Sequence, residues 1–317
     1  MMQHYKTLYL WLIILIITFI LSIVWGLWGL NHAMAQTILL EVRIPRVVEA
    51  LLAGIGLTLA GQMFQTLLNN PLADSFTLGL ASGATFGSGL AVILGLGFLF
   101  IPLLSMIFSL ITLILVILIT SIMSRGYPTR SLILAGIMIG ALFNALLYVL
   151  IIFNERKMNN IVNYMFGGFS SAEYNEIYYI GLVLILCIII LYSLMPRIKL
   201  LQLGEMHAQS LGIKSRNLTY TVLFISSILT ATIVSFVGVI GFIGMVIPQL
   251  IRRYYVGYSL GIQMTLNIII GGTVMVIADW FGGIILQTYQ IPASIVLALI
   301  GIPVLFYLMV TQPKTVD

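Results

Sequence analysis

Ten long apolar runs separated by short polar connections constrain this chain more than any other feature of its sequence. A run of about 20 apolar residues can cross the hydrocarbon core of a bilayer as an α-helix. Only 7% of the 317 residues are charged, whereas soluble domains carry about 25% charged residues. The sequence therefore predicts an all-α polytopic membrane protein with about ten transmembrane helices. The ten runs cover residues 8–30, 47–68, 76–96, 98–123, 131–153, 177–195, 218–237, 240–251, 260–286 and 292–310.

The lengths of these runs also limit the domain organisation. Ten spans leave only short connections, so we expect one transmembrane domain over residues 1–317 and no separate soluble domain. The first run is too long for the core of a signal peptide and is interpreted as the first helix. The run at 240–251 is short for a full crossing. The run at 260–286 is long enough to tilt, or to kink at Gly271–Gly272.

Lysine and arginine residues predict the orientation of the helices. With the N-terminus in the cytoplasm and ten alternating spans, 10 of the 14 basic residues fall in inside connections and 4 in outside connections. Cytoplasmic loops of membrane proteins are enriched in basic residues. The asymmetry therefore predicts that both termini are cytoplasmic.

The two longest connections differ in character. The outside connection, 154–176, carries three glutamates and the pair Gly167–Gly168. The inside connection, about 196–217, is basic and is predicted to form short amphipathic helices, with Leu203, Met206 and Leu211 near one face. Such a surface helix packs either against lipid headgroups or against a cytoplasmic partner protein.

Two glycine patterns predict close contacts between helices. Gly79, Gly83 and Gly87 recur every four residues and share one helix face, which lets two backbones approach closely in lipid. Glycines 238, 241 and 244 recur every three residues and predict a tight turn buried in protein.

The sequence lacks the patterns typical of most enzymes. It has no G-x-x-x-x-G-K-[ST] phosphate loop, and its three histidines are scattered with no metal-ligand spacing. Cys187, the only cysteine, cannot form an internal disulfide. We therefore expect no catalytic residues, no metal, no cofactor and no nucleic-acid partner, and we do not interpret the chain as an enzyme.

Two carboxylates fall within the apolar runs. Asp279 lies deep in the ninth run, and Glu49 lies near the outer end of the second. A carboxylate inside a membrane marks either an ion pathway or a hydrogen bond between packed helices. Both interpretations of Asp279 stay open from the sequence.

An ordered set of short motifs carries a resemblance to a known family. They are RIPR at 43–46, AGIGLTLAG at 53–61, NPLAD at 70–74, LGLASGA at 78–84, LAG at 134–136, FGGFS at 166–170, LGEMHAQSLG at 203–212, GFIGMVIP at 241–248, AD at 278–279 and IP at 291–292. In this order the motifs closely resemble the permease family of bacterial ABC importers for iron–siderophore complexes, haem and vitamin B12.

The resemblance implies a fold and a set of partners. It implies the ten-helix permease fold of type II ABC importers, in a bacterial plasma membrane. It also implies a second permease subunit, identical or related, with the translocation path between the two. Two cytoplasmic ATPases would supply the energy, and an extracytoplasmic substrate-binding protein would deliver the cargo.

The resemblance further implies roles for individual residues. Arg43 and Arg46 resemble the outward-facing arginines that pair with carboxylates on the binding protein, although headgroup contact or an internal ion pair with Glu41 or Glu49 would explain them too. The 203–212 segment resembles the coupling helices that fit a groove on the ATPase. The residues expected at that contact are Leu203, Gly204, Glu205, His207, Leu211 and Gly212.

Other positions match the family only in part. Thr129 and Arg130 fall in the short inside loop that closes the path to the cytoplasm in the family, although an arginine is not typical there. A further family arginine falls on Gly283, so that contact with the binding protein is in doubt, and a family histidine is replaced by Gln249.

The sequence thus predicts an ABC importer permease that moves an iron chelate, either a ferric siderophore or haem. A cobalamin importer of the same family, an ion-coupled secondary transporter that uses Asp279, and a non-transporting scaffold are the alternatives. The cargo itself is not encoded in any motif.

Overall fold

The computed structural model is a bundle of helices. It describes residues 2–26, 31–97, 99–123, 129–154, 157–285 and 290–311. The helices are α1 (Met2–Val24), α2 (His32–Thr37), α3 (Ile44–Leu67), α4 (Leu80–Ile93), α5 (Phe100–Met123), α6 (Thr129–Phe153), α7 (Met158–Phe166), α8 (Tyr174–Leu201), α9 (Glu205–Ser210), α10 (Ser215–Val237), α11 (Ile243–Tyr254), α12 (Leu260–Ile285) and α13 (Ala293–Val310).

Each of the ten apolar runs contains one helix, which confirms the predicted class of fold. Eight helices of the described residues are long and apolar enough to cross a membrane. The other two, α4 and α11, have 14 and 12 residues, which is about 21 and 18 Å at 1.5 Å per residue. Helix α11 is thus short, as predicted, and α4 is shorter than its apolar run.

Helix α3 is longer than predicted because structured chain precedes it. α2 and a π-helical stretch (Ile38–Arg43) continue directly into α3, and together they form 36 residues of unbroken helix. α3 itself is buried along most of its length and packs against α8, α10, α11 and α12. α1, by contrast, is mostly exposed and lies on α12.

Small residues let the central helices approach closely. A Cβ added at Gly54 of α3 would lie 2.4 Å from the carbonyl oxygen of Gly271 in α12, and one at Gly61 would lie 1.9 Å from that of Gly244 in α11. The Thr58 hydroxyl donates a hydrogen bond to the carbonyl oxygen of Asn267 at 2.9 Å. α12 runs unbroken through Gly271, so this glycine permits close packing and not the kink that the sequence allowed.

The first glycine pattern does make close contacts, but its members do not share one helix face, because Gly79 precedes α4 with a φ of 72° and faces a different helix. Cβ atoms at Gly83 and Gly87 would meet the backbone of α5, and one at Gly79 would meet the Gly136 carbonyl of α6. In the second pattern, Gly238 has a φ of 78° just after α10 ends. Only glycine adopts this φ without strain, so the turn into α11 needs it.

Helix α3 defines two ends of the bundle. It has 24 residues, about 36 Å, which exceeds the hydrocarbon thickness of about 30 Å. Arg46 lies in its first turn, and Gln65 lies in its last. We call these the Arg46 end and the α9 end, because Gln65 and Gly204 line one cavity beside α9.

We predict that Gly61→Ala destabilises the protein by about 1–3 kcal/mol, because the added methyl group meets backbone and no flexible side chain can yield. The measurement is the midpoint of thermal unfolding of the full chain in detergent. Gly181→Ala, in α8, is the matched control because its nearest neighbour, Leu52 Cδ1, lies 3.8 Å away. Equal midpoints for the two variants would contradict the packing argument.

Candidate docking and coupling sites

A bidentate ion pair joins α3 to α12 at the Arg46 end. Arg46 Nε donates to Asp279 Oδ2 at 2.6 Å, and Arg46 Nη2 donates to Asp279 Oδ1 at 2.9 Å. The Asp279 side chain is 3% exposed and that of Arg46 is 21% exposed. A buried carboxylate needs such a partner, because desolvating an unpaired charge is expensive. Asp279 therefore holds two helices together.

This pairing differs from the internal pairs that the sequence suggested. Glu41 and Glu49 are close to Arg46 along the chain, whereas Asp279 is 233 residues away. Sequence reasoning missed the pair because only the packing of α3 on α12 brings the two residues together. Arg46 Nη1 also donates to Gln290 Oε1 at 3.0 Å, on the exposed side of the guanidinium group.

Arg43 lies one helical turn before Arg46 and has a different partner. Its Nη1 donates to the carbonyl oxygen of Ser22 in α1 at 3.3 Å, and its side chain is partly exposed. The two arginines thus lie at the same end of the bundle. Each keeps part of its guanidinium group accessible.

Gly283 lies beside this pair. It follows Asp279 by one helical turn, and a Cβ added there would be 3.5 Å from Arg46 Nη2. The position at which the resembling family carries an arginine is thus next to Arg46 in space. In this chain, Arg46 alone occupies the neighbourhood of the Asp279 carboxylate among the described basic residues.

The opposite end carries α9 and its flanking glycines. Gly204 precedes α9 with a φ of 104°, and Gly212 follows it with a φ of 80°. The amides of Gly212 and Ile213 donate to the carbonyl oxygens of Gln209 and Ala208 at 2.9 and 3.0 Å. This pair of bonds is the Schellman motif that ends helices at a left-handed glycine. Gly212 therefore ends α9 and lets the chain turn towards α10.

The apolar side chains of the 203–212 segment point away from the bundle. Leu203 is 62% exposed, Met206 is 83% exposed and Leu211 is 61% exposed, whereas Ala208 is fully buried and anchors the segment. His207 is exposed as well. For Glu205 the structure describes the backbone, as the first residue of α9, but not the side chain.

The expected gate residues begin α6. Thr129 and Arg130 are the first two residues of that helix. Their side chains, and residues 124–128 before them, lie outside the described part of the chain. The Gln249 side chain is 5% exposed, and neither of its polar atoms has a hydrogen-bond partner among the described residues.

Comparison with protein families decides the identity of this architecture. The model of the FecCD transport family matches residues 6–311. The chain belongs to the FecCD transport family. It is therefore a permease subunit of an ABC importer, a multi-pass membrane protein that is not itself an enzyme.

Individual relatives and a solved structure agree with the family. The chain is 35% identical to the molybdate import system permease protein MolB of Haemophilus influenzae, over 88% of this chain and 82% of MolB. It is 31% identical to the Fe(3+)-citrate import system permease protein YfmE of Bacillus subtilis, over 91% of this chain and 86% of YfmE. A putative metal-chelate type ABC transporter, solved in an inward-facing conformation, superposes with a TM-score of 0.88 at 32% identity, covering 97% of this chain and 99% of the other.

We predict that replacing one partner of the ion pair destabilises the protein more, per substitution, than replacing both partners. Arg46→Gln or Asp279→Asn alone leaves the partner charge partly buried, and the loss should approach the roughly 3–5 kcal/mol typical of buried pairs. The double variant leaves no unpaired charge. Its loss of unfolding free energy should therefore be clearly smaller than the sum of the losses of the two single variants. The measurement is a double-mutant cycle on unfolding in mixed micelles.

Arg43→Gln is the control for this cycle, because among the described residues Arg43 donates to a backbone carbonyl and not to a carboxylate. When Arg43→Gln is combined with Asp279→Asn, the two losses of unfolding free energy should add. Additive losses for Arg46 and Asp279 as well would show that the two residues are energetically independent.

Proposed function

We propose that this permease imports an iron chelate, a ferric siderophore or haem, through a bacterial plasma membrane, with both termini in the cytoplasm. In this proposal it pairs with a second permease subunit, identical or related, around the translocation path. Two ATPases bind at the α9 end, and a substrate-binding protein docks at the Arg46 end. The excess of basic residues in the connections near the α9 end supports this orientation.

The exposed apolar side chains of the 203–212 segment carry the proposal. Met206 lies in α9, and Leu203 and Leu211 lie just before and just after this helix, which the buried Ala208 anchors to the bundle. Exposed apolar groups clustered on a rigid element mark a protein interface or a membrane surface. In an ABC permease, a groove on the ATPase is the occupant that explains a rigid, capped helix at this position.

The Arg46 end supports docking of a protein with surface carboxylates. Arg43 and Arg46 are both basic and both partly exposed, and complementary charges steer encounter and fix register. Asp279 fixes the orientation of the Arg46 guanidinium group, so little side-chain entropy remains to be lost on docking. Contact of these arginines with lipid headgroups is the competing explanation.

Movement in this proposal is rigid-body rotation of packed helices. α9 contacts α8 and α10, and α10 packs on α3, so a displacement of α9 reaches the centre of the bundle. Thr129 and Arg130, at the start of α6, are proposed to close the path on the cytoplasmic side. Rotation about subunit interfaces is a common route for such transitions.

The cargo proposal rests on the cargo for which one relative is named and on the class to which one solved structure is assigned. YfmE is named for Fe(3+)-citrate, and the solved neighbour is of the metal-chelate type. MolB is named for molybdate, so an oxyanion is the second candidate cargo. Cobalamin remains an alternative within the resembling family.

The ion-coupled alternative loses its main support in the structure. It required Asp279 to be available to a transported ion or proton, but both carboxylate oxygens accept hydrogen bonds from Arg46. Among the described residues there is also no group of three His, Cys, Asp or Glu side chains that would hold a metal ion.

We predict that Leu203→Ser weakens ATPase binding at least tenfold, because it removes an apolar contact from the centre of the proposed interface. The measurement is co-purification of the ATPase with the permease, together with ATP hydrolysis in proteoliposomes. Leu94→Ser is the matched control: Leu94 is 60% exposed, close to the 62% of Leu203, but follows α4 on the far side of the bundle. Wild-type ATPase binding by the Leu203 variant would remove the coupling assignment.

We predict that the reconstituted transporter takes up labelled ferric citrate, ferric siderophore or haem in an ATP-dependent manner, and takes up neither cobalamin nor molybdate. Proteoliposomes with the permease, ATPase and binding protein would be offered each cargo separately. The control is the same preparation without ATP. Uptake of molybdate alone, or of cobalamin alone, would replace the iron assignment and leave the permease assignment in place.

A further inference from the structure

A polar cavity lies at the α9 end, inside a single subunit. Its volume is about 520 Å³. The end of α3, the starts of α10 and α12 and the end of α11 form its walls, and the chain from Leu201 to Gly204 closes one side. The cavity therefore touches the segment that connects α8 to α9.

A cation without a carboxylate partner lies in this cavity. The Arg252 guanidinium group makes one long hydrogen bond among the described residues, from Nη2 to Gln65 Oε1 at 3.4 Å. Among the side chains that the structure describes, which do not include that of Glu205, the others that line the cavity are neutral; they include Gln65, Asn69, Ser215, Thr219 and Gln263. A partly buried arginine in such surroundings favours an anionic ligand.

Two helix N-termini line the cavity, together with the C-terminal ends of α3 and α11, whose dipoles have the opposite sign. Ser215 begins α10 and Leu260 begins α12, and both residues line the cavity. Backbone amides at the N-terminus of a helix are donors that can bind an anion.

An unpaired buried hydroxyl points to a ligand independently of these charges. The Ser215 side chain is 4% exposed, and its Oγ has no hydrogen-bond partner among the described residues. A buried polar group left without a partner costs about 1–3 kcal/mol. A ligand oxygen in the cavity would accept a hydrogen bond from this hydroxyl group.

We propose that this cavity binds a phosphate-type anion, held by the Arg252 guanidinium group, the Ser215 hydroxyl and the N-terminus of α10. The ligand is either the headgroup of an anionic phospholipid or inorganic phosphate from the aqueous phase. Anionic lipids give the cytoplasmic leaflet its negative surface potential. A bound anion would connect the start of α10 to the end of α11, directly beside the chain that leads into α9.

The test measures binding of each source to the full-length chain in detergent. Native mass spectrometry would count bound phosphatidylglycerol against phosphatidylcholine, and equilibrium dialysis would measure radiolabelled inorganic phosphate. We expect Arg252→Gln to weaken binding of the anion at least tenfold. Arg253→Gln is the matched control: this neighbouring arginine donates to Thr311 Oγ1 at 2.6 Å and faces Tyr307, outside the cavity.

Ser215→Asp is the second variant, in case Arg252→Gln fails to fold. Its carboxylate would occupy the N-terminus of α10 beside Arg252, so the variant should fold stably and lose anion binding at least tenfold. Selective retention of phosphatidylglycerol without phosphate binding assigns the site to a lipid headgroup, and phosphate binding assigns it to a soluble anion. Wild-type protein that binds neither, or a folded variant of either position that binds like wild type, overturns the proposal.

Discussion

The close approach of α3 to α11 and α12 is the contact on which the rest of this structure depends. Lipid offers no hydrogen bonds, so spanning helices satisfy their own backbone, and their association relies on packing. Gly54 and Gly61 bring the backbone of α3 against the carbonyl groups of Gly271 and Gly244. A side chain at either position would push the two backbones apart at that crossing.

This packing joins the two ends of the molecule. α3 runs from Arg46 at one end to Gln65 at the other, and α12 lies alongside it from Leu260 to Asp279. Closely packed helices have few intermediate arrangements, because their interior has the density of a crystal and little room to deform. In the proposed function, a displacement at the α9 end would therefore be transmitted to the Arg46 end as movement of the whole helix pair.

The ten membrane helices were predictable because hydrophobicity in lipid is a local property of each run. The ends of these helices were less predictable from the sequence. Helix α8 extends to Leu201, and the helix that contains α3 begins earlier, at His32 in α2. Helix α7 (Met158–Phe166) is a short helix in a connection, and no apolar run predicted it. The Arg46–Asp279 pair and the cavity around Arg252 could not be predicted, since each needs helices that are far apart in sequence.

The Arg46–Asp279 pair also explains how this chain tolerates glycine where the resembling family has an arginine. An arginine at position 283 would lie beside Arg46, whose Nη2 is 3.5 Å from that Cβ position, and would compete with it for one carboxylate. With Gly283, Arg46 bonds both oxygens of Asp279, and only its Nη1 edge is directed towards Gln290. Among the described residues, the positive surface beside Asp279 is therefore formed by Arg43 and one edge of Arg46. A binding protein that docks here needs carboxylates matched to these two groups and none placed over position 283.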